Sequence, residues 1–159
     1  MKQRITSVLV LLCCLGFWGC QPAKTFTEDE IALIPQVQKM SLGESSFRLK
    51  KGTKFIVENV DQQIIASQFA DSFEKVSGWK LQVIVGGNEG SNKIIFKTEP
   101  LMAPEAYSVD IQKNRIEVKA AKPAGFFYAM QTIRQLLPVE VERDRKQEKV
   151  EWLIPVMSI

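Results

Sequence analysis

Hydrophobic positions change their period along this chain, and each change marks an element. SFRL at 46–49 and KFIVE at 54–58 are short strand-like runs separated by the turn residues Lys50-Lys51-Gly52. Asp61 is placed as the N-cap of a helix over residues 62–76. Behind it Ile65, Phe69, Phe73 and Val76 recur at helical spacing, and Ser77-Gly78 supplies the stop. LQVIV at 81–85 and KIIFKT at 93–98 return to strand character. The glycine-rich stretch GGNEGSN at 86–92 between them reads as a mobile hairpin loop. AYSVDI at 106–111 and RIEVKA at 115–120 alternate strictly. The QKN between them predicts a tight hairpin with Asn114 available for a positive φ.

AGFFYAMQTIRQLLP at 124–138 is again helical. Pro123 suits the first turn, and Pro138 ends the run. Phe126, Met130, Ile133 and Leu137 form the apolar stripe, which Phe127 and Leu136 widen. ERDRKQEK at 142–149 is a solvated, mixed-charge loop, and residues 150–159 read as a last strand or extended exit. The order is strands, helix, four strands, helix, strand. Short connections predict an α+β two-layer sandwich: a mostly antiparallel sheet with two helices packed on one face.

The first twenty residues, MKQRITSVLVLLCCLGFWGC, follow a different logic. Lys2 and Arg4 precede a mostly apolar run too short to favour a membrane span. The run ends in Gly19-Cys20. The segment is similar to a bacterial lipoprotein signal, in which cleavage before the cysteine is followed by lipid attachment to its thiol. Of the three cysteines, Cys13, Cys14 and Cys20, only Cys20 has a small residue before it. The expectation is a signal peptide over 1–19, a lipidation site at Cys20, a tether over 20–33 and a folded domain over 34–159. This places the mature chain outside the cytoplasm, lipid-anchored in a bacterial cell envelope, periplasmic or at the cell surface.

Composition narrows the chemistry. The chain has 159 residues, 45% apolar and 25% charged, as in an ordinary globular domain. Its formal charge is +3, and removal of Lys2 and Arg4 lowers this to about +1, no footprint for nucleic acid. With no histidine, and every cysteine in the leader, Ser-His or Cys-His catalysis and zinc sites are excluded for the folded part. No cofactor and no metal are called for. The glycines at 86–91 match neither a P-loop nor a dinucleotide fingerprint. Glu28, Asp29 and Glu30 read as a solvated linker. Glu58 and Asp61 lie at a strand end and a helix start, not across a cleft. Trp79, Trp152, Tyr107 and Tyr128 read as packing aromatics before sugar platforms.

PEAYSVDIQKNRIEVKAAKPAGFFYAMQTIRQLLP, 104–138, resembles the non-catalytic N-terminal domain of family 20 glycoside hydrolases, the β-N-acetylhexosaminidases. Glu105 and Tyr107 match the first part of the family pattern. Ala121, Gly125, Tyr128, Gln131, Thr132, Gln135 and Leu136 match the second, with Ile133 in place of Leu and Ala129 where Gly is common. IPQVQKMSLGESSFRLKKGTKFIV resembles the family's opening, and the likeness spans residues 34–158. It implies an accessory domain whose helices pack between its sheet and a (β/α)8 barrel. That barrel carries an Asp-Glu pair acting on terminal non-reducing N-acetylhexosamine in glycans. None of the barrel motifs is in this sequence, so no catalytic residue is assigned. The chain reads as cut before the barrel, inactive alone, with Phe126, Tyr128 and Arg134 exposed where the barrel would sit. Two other readings remain open: the leading domain of another glycosidase, and a free-standing glycan- or protein-binding surface lipoprotein.

Overall fold

A computed structural model describes residues 24–87 and 90–159; the leader residues and Cys20 lie outside them. Seven strands form one sheet: β1 (Ser41–Arg48), β2 (Lys54–Val57), β3 (Gln82–Val85), β4 (Lys93–Thr98), β5 (Tyr107–Gln112), β6 (Arg115–Ala120) and β7 (Leu153–Ser158). Their order is β1-β7-β5-β6-β4-β2-β3. Helix α1 (Val60–Ser77) follows β2 and helix α2 (Pro123–Gln135) follows β6. The two helices touch each other, and together they lie on β2, β3, β5 and β6, so both cover the same face. The expected α+β class with two helices on one face is present.

Antiparallel pairing runs through β1, β7, β5 and β6. Beyond β6 the sheet is parallel, through β4, β2 and β3. The glycine stretch therefore makes no hairpin: β3 and β4 flank β2 on either side, and the loop carries the chain across it. Gly86, Gly87 and Gly90 have φ of +77°, +89° and +79°, with open space where a Cβ would be. These glycines serve backbone reversal, not close approach to a ligand. Likewise 46–49 and 54–58 are not hairpin partners, since β1 pairs with β7. A signal for the parallel half is present in the residues. FIV in β2 and IIF in β4 are buried without alternation, the unbroken apolar run typical of parallel strands.

Local chemistry sets the helix ends. The N-cap of α1 is Asn59, whose Oδ1 accepts from the Gln62 N–H at 3.0 Å; Asp61 is already inside the helix. An asparagine in extended geometry just before the first turn can reach the unpaired N–H groups, and Asp61 cannot. Gly78 closes α1 at φ +71°, its N–H bonded to the Glu74 carbonyl. At the β5–β6 hairpin Asn114 is not in the left-handed region; outside glycine, Asn92 and Lys149 are the described residues that are.

The core is aromatic along the sheet–helix seam. Phe96 stacks on Phe126 with centroids 5.0 Å apart, and Phe55 meets Phe69 and Phe96 edge-on. Trp152 and Trp79 pack against Phe73. Gly125 lets α2 settle onto the sheet, because a Cβ there would stand 2.5 Å from the Ala106 carbonyl oxygen and 2.8 Å from Ala120 Cβ. On the leading side, Glu28, Asp29 and Glu30 form an exposed single 3-10 turn closed by Thr27, while Ile31 and Leu33 already pack against the core.

Candidate functional site

The sequence positions that carry the family resemblance sort into two groups once placed. The inner group has partners within the domain. The Tyr107 hydroxyl lies 2.7 Å from Thr132 Oγ1, joining β5 to α2. Gln135 clamps the leading segment: its Oε1 accepts from the Ile34 N–H at 2.9 Å and its Nε2 donates to the Ile34 carbonyl at 3.0 Å. Gly125 supplies the close approach, and Leu136 is buried. Each of these is accounted for by packing or hydrogen bonding inside the chain.

The outer group has no such account. Tyr128 is 42% exposed, as is Phe127 beside it, their rings 5.8 Å apart and edge-on. Gln131 is exposed one turn further along. From α1, Ile64 and Val60 are 53% and 64% exposed. Because β2 and β6 run parallel, α1 and α2 both start at the same rim of the sheet. The four apolar residues therefore gather at the N-terminal ends of the two helices. Leu101, in the turn after β4, is exposed at that rim too. A shallow groove of about 150 Å³ runs between the helices, bordered by Gln68, Phe127, Gln131 and Arg134.

One residue named from the sequence is corrected. Phe126 does not face outward; it is 2% exposed and stacked on Phe96. Its neighbour Phe127, about 100° further round the helix, takes the outer position. Tyr128 faces outward as expected. Arg134 is partly exposed but committed: Nε donates to Glu142 Oε1 at 2.7 Å, and Nη1 donates to Ser72 Oγ at 2.8 Å. The hydrogen bond that Arg134 donates to Glu142, against some burial, raises the Arg134 pKa, and the same bond lowers that of Glu142.

The remaining candidates are structural. Burial raises the Glu58 pKa, but bonds from the Thr98 side chain and N–H, with Gln62 and Lys97, outweigh it and hold the carboxyl below its usual range. Its Oε2 accepts from the Thr98 N–H at 2.8 Å, stapling the end of β2 to the end of β4. That is a network of donors, not a raised-pKa acid facing a cleft. Trp152 is buried, and Trp79 and Tyr107 are held by the contacts above, so Tyr128 alone among the four aromatics presents much of its ring. Among the described residues, no group of three or more acids or other ligating side chains is placed to hold a metal.

This arrangement is shared with known enzymes. A β-hexosaminidase of Porphyromonas gingivalis is 28% identical over 147 residues, covering 88% of this chain and 19% of the relative. An N-acetyl-β-hexosaminidase of Streptomyces plicatus superposes with a TM-score of 0.74 at 27% identity, over 87% of this chain and 27% of that one. The GH20 β-N-acetylhexosaminidase of Streptomyces coelicolor gives 0.67 at 28% identity, over 76% and 24%. The chain thus spans about a fifth to a quarter of the length of these relatives. Residues 30–159 match the family described as glycosyl hydrolase family 20, domain 2, and the chain belongs to that family.

Proposed function

We propose that this chain is the non-catalytic accessory domain of an exported β-N-acetylhexosaminidase that removes terminal non-reducing N-acetylhexosamine from glycans. Its partner is the catalytic (β/α)8 barrel of the same enzyme, continuing past Ile159. The exposed apolar surface built by Val60, Ile64, Phe127 and Tyr128 carries this reading. Surfaces of that kind in a soluble domain mark a contact with another body, and the relatives have most of their length outside the matched region. The general acid and the orienting carboxylate of the hydrolysis belong to the barrel. This domain's task is to brace it. Export follows from the leader, and lipid attachment at Cys20 holds the enzyme at the cell envelope.

The test is to measure turnover of a chromogenic N-acetylglucosaminide by the chain alone and by the chain continued into its barrel. The expected result is no turnover alone and turnover when joined, with Phe127→Asp/Tyr128→Asp lowering the melting temperature of the joined protein more than that of the chain alone. Turnover by the chain unaided, or equal melting shifts in both contexts, would refute the bracing role.

A further inference from the structure

The open face of the sheet carries a charge pattern that packing does not require. In the parallel half, Lys54 on β2 is paired with Lys93 on β4, and Lys93 with Arg115 on β6. Their neighbours Phe55, Ile94 and Ile116 face the core, so all three cations share the face without helices. Strands are about 4.8 Å apart, and like charges directly opposite are destabilising. Lys50 and Lys51 stand in the turn just before β2, and Lys113 in the turn just before β6. Lys50 and Lys113 flank an open depression floored by Asn92 and Asn114. Asn92 ties these turns together: its Nδ2 donates to the Arg48 carbonyl, its N–H donates to the Asn114 carbonyl, and its Oδ1 accepts from the Thr53 hydroxyl.

Among the described residues, neighbouring carboxylates form no ion pair with Lys50, Lys51, Lys54, Lys113 or Arg115. Glu151 pairs with Arg48 at 2.6 Å and Glu117 with Lys119 at 3.2 Å. Asp110 accepts from Gln112 and Ser158. Lys93 is engaged within the chain.

The leading segment enters at the same end. β2, β4, β6 and β7 all start there, and both helices finish there. Ile34 is held by Gln135, the last residue of α2. Lys24 and Phe26 line a cavity with Leu136, Leu137 and Leu153, next to the Arg48–Leu153 pair that leads into Lys50. Four residues take the chain from Lys24 back to Cys20, a reach of at most about 14 Å. The apolar rim of the helices is at the opposite end.

We infer that the basic end formed by Lys50, Lys51, Lys54, Lys113 and Arg115 docks on the anionic phosphates of a membrane surface and orients the domain there. The occupant follows from charge complementarity and from where the chain leads; this rests on the exported, lipid-anchored reading above. Basic side chains at an anionic bilayer each add a modest attraction that falls off within a Debye length. The anchor supplies proximity and the basic end supplies orientation, so the apolar helix rim, and the barrel on it, point away from the bilayer.

The test is co-flotation of the full chain with phosphatidylcholine vesicles, with and without phosphatidylglycerol, at low and high salt. Phosphatidylglycerol should strengthen binding at least about tenfold at low salt, and high salt should cancel the gain. K50Q/K113Q/R115Q, three exposed positions, should lose it. K39Q/K97Q/K122Q, the same charge loss at the other end, should keep it. Equal binding of the unaltered chain to both vesicle types, or tighter capture by heparin than by phosphatidylglycerol vesicles, overturns the inference without any variant. The mass of the mature protein reports acylation separately. Acylated Cys20 with no lipid preference overturns the docking surface alone, and preference without acylation leaves the surface standing while removing the anchor.

Discussion

The two sides of α2 are built from the same kinds of residue and do different things. Inward, Phe126, Met130 and Ile133 are buried against the sheet, locked by ring stacking and by a glycine that brings the helix close. Outward, Phe127 and Tyr128 are aromatic too, yet each leaves 42% of its surface open. The inner side is explained by contacts within this domain; the outer side is left half open to solvent. Residue type did not separate them. Placement did.

That contrast can be broken by substitution. The largest effect is expected from Phe126→Ala, which removes the ring stacked on Phe96 and should lower the free energy of unfolding by about 3–5 kcal/mol in urea titrations. Gly125→Ala forces a methyl toward the Ala106 carbonyl and should cost about 1–3 kcal/mol in the same measurement. Acid comes next. Glu58 and Glu142 both have native pKa values below their ordinary ones, so their contribution is complete above the ordinary carboxylate range and is lost as pH falls through the lower native values. Glu58→Gln/Glu142→Gln should flatten the acid limb of a stability–pH curve, by no more than about 1 kcal/mol for these exposed pairs. The smallest change in stability, within about 0.5 kcal/mol, is expected for Phe127→Ser/Tyr128→Ser in the chain alone, together with a fall in hydrophobic-dye binding. A stability loss as large as that of Phe126→Ala would erase the distinction between the two sides.

Much of this was written in local pattern. The helix periods, the Gly78 stop, the β5–β6 hairpin and the last strand are all set by neighbours in sequence, and the structure has them. The stripe through Phe126, Met130 and Ile133 already assigns Phe126 to the inner side, and naming it as exposed went against that spacing. Strand partners were harder to read. Two apolar runs around a glycine loop look like a hairpin, but whether β3 and β4 meet or straddle β2 depends on which edges remain open after α1 packs. The unbroken apolar runs in β2 and β4 were the available hint. The cap at Asn59 was missed because asparagine and aspartate two positions apart offer the same chemistry, and only backbone geometry chooses between them. The basic row was invisible for a related reason: Lys54, Lys93 and Arg115 are far apart in sequence and become neighbours only through the parallel register.

The clamp between Gln135 and Ile34 also has a mechanical meaning. Tension on the leading segment would first peel Phe26 and Ile31 from their shelf, and then load two hydrogen bonds at the tail of α2. The strands would feel the pull last. Such a sacrificial latch lets the domain be tugged from its leading end while the sheet, and whatever rests on the helices, stays in register.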